Sequence, residues 1–380
     1  MSSQAQALSL GVEEEYQIID PQTRTLCSLA EPILLEASNE VGQNVQPEIH
    51  LSQLEVATSI CHTLTQVRDE LQRLRQAVIR AATRFEKQIA AAGSHPFACW
   101  QDQQMMPEAR YLALEERYQQ LAREQSVFGC HVHVGVSDRE TAIQIVNHAR
   151  VWLSPLLALT ANSPFWWGTE TGYASYRAAA VYARWPQSGP PPLFSSLADY
   201  EDLTRTLITM KSIGDARNLY WDMRVSERFP TVEIRIMDQC TTLDEAVMVA
   251  GLARALVHTC SERVAKGVAA PQVRHEVLRF ASWQAARYGL DEQLIDAQAG
   301  RAIPAWEMIE QLLDFVRPTL QAYGDWEEIS RLVEQIAQQG NGASRQRTIY
   351  RNTGSLPAVV DFVVAQTAAG TMERETSTAQ

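Results

Sequence analysis

Four stretches of the chain alternate apolar residues with residues that could bind metal ions or phosphate. Side chains at positions i and i+2 of a β-strand share one face, so each stretch is predicted to present its ionisable groups together. These groups are Glu13 and Glu15, Glu55, His131 and His133, and Glu233 and Arg235. Carboxylates are ligands for hard divalent cations, and a guanidinium binds phosphate oxygens. The pattern therefore predicts chemistry on metal-bound phosphates or carboxylates.

A solvated sheet face shows the same alternation, and any one stretch alone is equally compatible with that interpretation. Composition favours a binding site, because solvated faces usually mix in lysine, threonine, serine and glutamine, whereas these faces carry mainly glutamate, histidine and arginine. If the strands pair in one sheet, their like charges repel each other unless a counter-ion lies between them. Divalent cations remove that repulsion, and Mg²⁺ suits carboxylates together with substrate phosphates.

The His-x-His spacing of His131 and His133 also allows a zinc hydrolase. Such a site requires further metal-binding histidines later in the chain. The later ones, His148, His258 and His275, lie in helix-like stretches among apolar neighbours. Zinc is therefore the weaker interpretation, and for His131 we expect a hydrogen bond rather than metal coordination.

The elements that must position these residues form one α+β domain. Strands are predicted over 8–20, 52–59, 127–136 and 231–238. Helices are predicted over 65–92 (closed by Gly93), over 139–161, from a capping box at 242–245 to 266, and over most of 271–350. The catalytic domain is expected to span 8–366, with disordered ends at 1–7 and 367–380.

A long segment, residues 162–194, is rich in proline, glycine and aromatic residues and is predicted to be a functional loop. Arg177 and Arg184 lie in it with few other charges nearby, where arginine could bind a carboxylate or phosphate with two hydrogen bonds. Arg345 and Arg347 follow much later, and by themselves they indicate only a solvated helix end.

Composition excludes several other classes of function. The 380 residues are 46% hydrophobic, enough for a large core, and the net charge of −12 argues against nucleic-acid binding. Only three lysines occur, and Lys211 follows Met210 rather than glycine, so a Walker A loop is absent. Arginines and metal ions must hold any phosphates.

Nothing in the chain indicates a membrane or secreted protein. No apolar run is long enough to span a bilayer, and residues 1–9 lack the basic and apolar regions of a secretory signal. The six cysteines include no Cys-x-x-Cys pair and are expected to be reduced and mostly buried. We predict a cytoplasmic location.

An ordered set of motifs resembles the YbdK-type carboxylate–amine ligases, also called type 2 glutamate–cysteine ligases. The similarity covers about residues 8–366, nearly the whole chain. The motifs are Gly-Val-Glu-Glu-Glu at 11–15, His-Val-His-Val-Gly at 131–135, Gly-Tyr-Ala-Ser-Tyr-Arg at 172–177, Trp-Asp-Met-Arg at 221–224, Val-Glu-Ile-Arg at 232–235, Ala-Ala-Arg-Tyr-Gly-Leu-Asp at 285–291 and Arg-Gln-Arg at 345–347. Each motif is weak alone, but the ordered set is specific.

The resemblance implies a glutamine-synthetase-like catalytic fold, in which a curved, mostly antiparallel sheet forms a funnel with helices packed on its outer face. It implies ATP and Mg²⁺ as cofactors, and a glutamate-like acid that is activated as an acyl phosphate and joined to an amine such as cysteine. The sheet edges of such a fold are compatible with a homodimer.

The resemblance also assigns roles to residues. By similarity, the metal-binding positions are Glu13, Glu15, Glu55, His133 and Glu233. Arg235 matches a phosphate-binding position, while Arg177, Arg345 and Arg347 are looser matches, Arg177 to a catalytic role and the other two to nucleotide binding. Glu14 stands where related ligases often have lysine, and the alternation places it off the metal face.

Two other functions are compatible with the same predicted sheet. A phosphotransferase of the guanidino-kinase type would use the same scaffold and yield a stable phosphorylated product. A non-catalytic binding protein would bind ATP without turnover, although the intact set of glutamates argues against it.

Overall fold

The main sheet has seven strands and contains all four of the chemistry-bearing stretches. In the computed structural model, which describes residues 8–371, its strands follow the order Met223–Val225, Thr231–Ile234, Cys130–Gly135, Leu10–Ile19, Gln53–Ala57 and Val45–Pro47, and Gln88–Ala90 also pairs with Leu10–Ile19. Every pairing in this sheet is antiparallel. The strands are β1 Leu10–Ile19, β2 Val45–Pro47, β3 Gln53–Ala57, β4 Gln88–Ala90, β5 Cys130–Gly135, β6 Phe165–Trp166, β7 Thr169–Glu170, β8 Ser188–Gly189, β9 Tyr220–Trp221, β10 Met223–Val225, β11 Thr231–Ile234, β12 Gln293–Asp296 and β13 Arg301–Pro304.

The helices in the described part of the chain are α1 Ala30–Val41, α2 Leu64–Arg84, α3 Ala109–Tyr118, α4 Gln120–Arg123, α5 Arg139–Ala149, α6 Leu153–Thr160, α7 Leu197–Thr209, α8 Leu243–Ala265, α9 His275–Tyr288, α10 Ala305–Tyr323, α11 Trp326–Gln339, α12 Gly342–Thr353 and α13 Leu356–Ala368. Helices α1, α2, α5 and α8 cover one face of this sheet. Helix α8 is buried along most of its length, and α2, α5, α10 and α11 pack around it. The described part of the chain has no helix long and apolar enough to cross a membrane.

The alternation of β1 decides which of its side chains meet the helices. Val12, Glu14 and Tyr16 are buried on the helix side, while Glu13 and Glu15 are only partly covered on the opposite face. Val132 and Val134 of β5 join Val12 in the same apolar core as α8. The predicted separation of the apolar and ionisable faces is confirmed.

The capping box at the start of α8 is also confirmed. The Thr242 side chain accepts a hydrogen bond from the Glu245 backbone N–H, and the Glu245 side chain accepts one from the Thr242 N–H. These reciprocal bonds satisfy two of the N–H groups that a helix start leaves free.

The predicted helix over 65–92 is wrong in its last part. Helix α2 ends at Arg84, and Glu86 adopts a left-handed φ of 57°, which a continuing helix does not allow. Residues 88–90 then form β4, in which Ile89 pairs with Ile18 of β1. Pairing with a distant strand therefore overrides the helix-favouring local sequence.

Other predicted segments contain breaks. The predicted helix 139–161 is interrupted by a 3₁₀ turn at 150–152, and the mostly helical 271–350 includes the β12–β13 hairpin. The predicted loop 162–194 contains short strands and a π-helical turn, Arg177–Val181.

The predicted domain limits fall near the ends of the described chain. Helix α13 continues to Ala368, and Thr367 and Thr371 are buried, so packed structure extends past residue 366. Residues 1–7 and 372–380, which were predicted to be disordered, lie outside the described residues.

Candidate active site

The strand register brings the predicted ionisable residues together on the open face of the sheet. Neighbouring strands place these residues directly opposite one another, where antiparallel side chains are in contact range. The opposed pairs are Glu13 with His131, Glu15 with Glu55, and His133 with Glu233. Residues separated by more than 200 positions in sequence thus share one cavity wall.

Two groups of side chains are close enough to hold metal ions, and Glu13 belongs to both. One group is Glu13, Glu55 and His131, and the other is Glu13, His133 and Glu233; within each, ligand atoms lie within 4.8 Å of one another. One Glu13 oxygen lies 3.2 Å from His131 Nδ1 and the other 3.2 Å from His133 Nε2. Glu13 could therefore bridge two cations.

The first group adds His131, for which only a hydrogen bond was expected. Its Nδ1 does lie within hydrogen-bonding distance of Glu13, but the His131 ring also offers a nitrogen to the first group of possible metal ligands. Burial and the charge of Arg235 lower the pKa of His131 to about 4. A neutral imidazole is the form that coordinates a metal, so the structure makes His131 a candidate ligand as well.

On the Glu15 side of the cluster, raised pKa values indicate that the carboxylates need an added positive charge in order to ionise together. Burial and the neighbouring Glu48 raise the pKa of Glu15 to about 8. Burial, followed by Glu13, Glu48 and Glu15, raises the pKa of Glu55 well above its ordinary value. Ionising all of these carboxylates together costs free energy unless a cation lies among them.

On the Glu233 side of the cluster, arginine and histidine side chains of the protein already stabilise the negative charges of the carboxylates. Burial alone would raise the pKa of Glu233, but Arg235 and Arg224 bring it well below its ordinary value. Arg224 Nε donates to Glu233 at 2.7 Å, and Arg235 forms an ion pair with the same carboxylate. Burial likewise raises the pKa of Glu13, and His131 and His133 reverse that effect.

His133 provides the test of whether these residues fit a metal ion. Its Nδ1 lies 2.9 Å from Thr231 Oγ1, which orients the ring. Its Nε2 is buried and makes no hydrogen bond within residues 8–371, although it faces the Glu13 carboxylate. A buried nitrogen aimed at carboxylates fits coordination, and a set made mostly of carboxylate oxygens fits Mg²⁺.

A cavity of about 140 Å³ opens beside Glu15 and His131. Aromatic and apolar side chains form much of its wall, and Arg177 and Arg235 bring two positive charges to it. The residues that complete its lining are Glu48, Ile49, Tyr111, Leu114, Gln125, Val127, Tyr182, Trp185 and Tyr220. The cavity can therefore hold a small molecule with both anionic and cationic groups.

Sequence reasoning missed Glu48, which follows β2 directly. No alternation marks it, because residues 48–52 form a turn rather than a strand. The only available signal was that pairing of 45–47 with 54–56 would bring residue 48 near the Glu55 strand. Burial raises the pKa of Glu48, as expected for a carboxyl group crowded among other carboxyls.

A second, more apolar cavity of about 220 Å³ lies on the other side of Glu13 and His133. Phe229 and Ile60 are exposed at this cavity, and the Phe229 ring meets the His133 ring edge-on at 6.0 Å. The candidate metal ligands thus lie between two cavities of different character.

The predicted arginines divide into two pairs. Arg235 Nη2 donates to Tyr182 Oη at 3.4 Å, and Arg177 donates to the backbone carbonyls of Arg235 and Ile236 at 3.3 and 3.2 Å. Both arginines line the cavity beside Glu15.

Arg345 and Arg347 are not brought to that cavity in the described structure. Arg345 donates to Glu245 in the first turn of α8, beside a separate cavity of about 510 Å³. Arg347 donates to Glu170 Oε1 and to the Tyr173 carbonyl, both at 2.8 Å. Neither arginine lines the cavity beside Glu15 or the one beside His133, so their placement does not favour the predicted nucleotide-binding role.

Comparison with solved structures shows the fold. The chain superposes on a glutamate–cysteine ligase from Francisella tularensis, solved in complex with AMP, with a TM-score of 0.74 and 12% identity over 97% of this chain and 90% of that one. It superposes on a bifunctional glutathione synthetase from Pasteurella multocida with a TM-score of 0.71 and 16% identity, covering 97% of this chain and 53% of that one. The predicted glutamine-synthetase-like α+β fold is confirmed.

Comparison of sequences shows the family. A relative from Rhodopirellula baltica, named "Putative glutamate--cysteine ligase 2", is 41% identical over 95% of this chain and 97% of its own length. One of the same name from Solibacter usitatus is 39% identical over 97% and 96%. The family model for glutamate-cysteine ligase family 2 matches residues 9–376. With its ordered motifs and a match along nearly its full length, the chain belongs to glutamate-cysteine ligase family 2.

Proposed function

We propose that this protein is an ATP- and Mg²⁺-dependent ligase that joins a glutamate-like acid to an amine such as cysteine through an acyl phosphate. The observation that carries the proposal is the cluster centred on Glu13, which lies between two cavities and offers two sets of metal ligands. A ligase of this kind must bring a nucleotide and an acid together at shared cations. The names of the relatives support the same reaction class.

In this proposal the sheet holds the cations that neutralise the phosphates during transfer. Glu13, Glu15, Glu55, His133 and Glu233 are the proposed ligands, and the geometry adds His131. Glu15 lies outside both groups of closely spaced ligand atoms and is proposed from its position beside Glu55. Rigid pairing of neighbouring strands keeps these side chains in place without a loop rearrangement.

Arg235 and Arg177 are proposed to stabilise charge on the transferring phosphoryl group. Arg235 is held at the boundary of the cluster by its ion pair with Glu233 and by Tyr182. Its Nε is buried and has no hydrogen-bond acceptor in the described part of the protein, so a donor remains for a substrate oxygen. Preorganised donors of this kind lower the barrier because they need no reorientation during reaction.

The two cavities suggest where each substrate binds. The apolar cavity beside His133, with Phe229 and Ile60 at its mouth, fits a nucleotide base, and the related Francisella structure is a complex with AMP. The cavity beside Glu15 fits an amino acid, because it pairs the Arg177 and Arg235 guanidinium groups with the carboxyl groups of Glu15 and Glu48.

Aromatic walls around the cavity beside Glu15 would protect an acyl phosphate from water. Trp185 and Tyr220 contact each other edge-on at 5.4 Å, and Tyr118 packs on Trp185 at 4.7 Å. Excluding water in this way favours attack by the amine over hydrolysis. No protein nucleophile is required.

The proposal is tested by mixing protein, ATP, Mg²⁺ and glutamate with a panel of amines that includes cysteine, and measuring phosphate release and amide formation. We expect at least one amine to stimulate release, with an amide detected by mass spectrometry. Glu55→Gln should lower kcat by roughly 10²-fold or more, because it removes a charge that neutralises a cation. Glu36→Gln, at the partly exposed Arg84–Glu36 surface pair, should not change it.

Two outcomes would contradict the proposal. The first is a rate of phosphate release that no acid–amine pair raises above the rate with protein alone. The second is a stable phosphorylated product without an amide, detected by phosphorus NMR, which would instead indicate a phosphotransferase.

A further inference from the structure

Asp238 is a fully buried carboxylate that lies outside both groups of metal ligands. Its Oδ2 accepts hydrogen bonds from the Asn162 backbone N–H at 2.7 Å and from Ser163 Oγ at 2.8 Å. Its Oδ1 accepts one from Ser175 Oγ at 2.8 Å and lies 3.6 Å from Arg177 Nη1. All four contacts come from the segment 162–194, which carries Arg177.

The two serines, Ser163 and Ser175, connect Asp238 by hydrogen bonds to the backbone at the start of the turn that carries Arg177. Ser163 Oγ accepts the Arg177 N–H at 3.1 Å, and Ser175 Oγ accepts the Ala178 N–H at 3.2 Å. Each hydroxyl therefore donates to Asp238 and accepts from the first turn of the π-helical segment Arg177–Val181. The carboxylate holds both the start of this turn and the side chain that extends from it.

The Arg177 guanidinium has little freedom to find another position. It donates to the carbonyls of Arg235 and Ile236, and the ring of Tyr182 lies 5.2 Å from it. A methyl group added at Gly129 would collide with Nη2. Only 3% of the Arg177 side chain is exposed, and Asp238 is the carboxylate nearest to it among the described ion pairs.

Asp238 is itself held by a chain of buried polar groups. Asn162 Nδ2 donates to the Gln239 carbonyl at 2.7 Å, and Asn162 Oδ1 accepts from Gln346 Nε2 at 2.8 Å. Gln346 is the central residue of the Arg-Gln-Arg motif at 345–347 and is 1% exposed. The buried residue of that motif, rather than either arginine, thus joins the hydrogen-bonded chain that holds Asp238.

We propose that Asp238 is a positioning residue that sets the place of Arg177 at the wall of the cavity beside Glu15. The inference deepens the proposed ligase function, because Arg177 is useful there only if a substrate carboxylate or phosphoryl group binds beside it. Asp238 itself does not touch substrate. Its negative charge and the three hydrogen bonds that it accepts fix the turn and the guanidinium together, which a neutral side chain of the same shape cannot do.

The test is a double-mutant cycle with Asp238→Asn and Arg177→Lys, measured by kcat and KM for the acid substrate. Asp238→Asn should lower kcat/KM roughly 10²-fold, because a displacement of about 1 Å at a positioned group can cost that much. In the Arg177→Lys background the same change should have little further effect, since residues that act as one unit are not additive. Full additivity would overturn the proposal.

A matched control separates positioning from stability. Asp325 forms a comparable ion pair with Arg254, away from the cavity beside Glu15. Asp325→Asn should lower Tm and leave kcat and KM unchanged, whereas Asp238→Asn should change the kinetics at temperatures where it remains folded. If Asp238→Asn does not fold, Ser175→Ala replaces it, with a smaller loss and the same absence of additivity with Arg177→Lys.

A structural measurement keeps this proposal independent of the reaction. In a crystal structure of Asp238→Asn, or of Ser175→Ala, we expect the Arg177 guanidinium to leave its position between the carbonyls of Arg235 and Ile236. A guanidinium that stays in place would overturn the positioning role even if the wild-type protein proved to be a ligase. A displaced guanidinium would support it even if the amine panel showed no turnover.

Discussion

At the scale of single residues, the site depends on close contacts between backbone and side chains that leave no room for an added methyl group. Gly129 shows this most clearly, since its N–H donates to Glu15 Oε2 at 2.8 Å and its Cα faces Arg177. A Cβ at this position would lie 3.0 Å from His131 Nε2 and would collide with the Arg177 guanidinium. Only glycine lets the backbone approach both a proposed metal ligand and the arginine.

Gly129→Ala is therefore expected to impair the site more than the fold. The added methyl group should displace Arg177 and lower kcat/KM for the acid substrate by roughly 10²-fold. Steady-state kinetics with ATP, Mg²⁺ and an amine that the panel shows to be a substrate would measure this.

Gly251→Ala is the matched control for that substitution. Its Cβ would collide with Ile329 inside the helical core, so it should lower Tm without changing KM. Unaltered kinetics in Gly129→Ala would show that the Arg177 position does not matter.

At the scale of elements, the start of α8 is held by more than its capping box. Arg345 of α12 forms an ion pair with Glu245, whose other oxygen accepts the Thr242 N–H. The segment just before this helix carries Asp238 and Gln239, so the helix start anchors the strand end that leads into the cavity. The role of Arg345 in nucleotide binding stays a prediction, and this geometry favours a structural role.

Arg345→Met distinguishes the two roles. Loss of its charge-assisted hydrogen bond should lower the free energy of unfolding by about 2 kcal/mol, as measured by urea denaturation. The KM for ATP should not change, because Arg345 lines neither of the two cavities beside the Glu13 cluster. A rise of KM for ATP of more than about tenfold (roughly 1.4 kcal/mol of binding free energy) with unchanged stability would restore the nucleotide-binding role.

At the scale of the whole molecule, sheet and helices are joined by a buried ion pair as well as by apolar packing. Glu14 of β1 and Arg75 of α2 are both fully buried and bonded to each other. Glu14 also accepts from Gln239 Nε2 at 2.9 Å, and Arg75 donates to the Thr241 carbonyl at 2.8 Å. The residue expected to lie off the metal face does so, and its charge is neutralised by the helix layer.

Glu14→Gln should destabilise the protein strongly. Removing one partner of a buried pair leaves Arg75 without its counter-charge, which typically costs about 3–5 kcal/mol. Urea denaturation of the metal-free protein would measure the change.

The exposed pair between Arg80 of the same helix and Glu40 provides the comparison. Glu40→Gln should change the free energy of unfolding by less than about 1 kcal/mol, because exposed pairs contribute little. Equal effects of the two substitutions would mean that the buried pair contributes no more than a surface one.

Much of the candidate site followed from local sequence. Side chains in a strand alternate with a period of two, which backbone geometry alone imposes. The strand face of each proposed metal ligand could therefore be predicted, for Glu13, Glu15, Glu55, His133 and Glu233. The start of α8 at Thr242 was readable for a similar reason, since a capping box involves only neighbouring residues.

Other features depended on which strands are neighbours and on what packs against them. The inclusion of His131 and Glu48, the partner of Arg345, and the strand at 88–90 all required contacts between residues far apart in the chain. Sequence by itself determined which side chains share a face of each strand, because that is a property of the local backbone. Only the tertiary structure decided which faces meet, because sheet order and register arise from packing across the whole core.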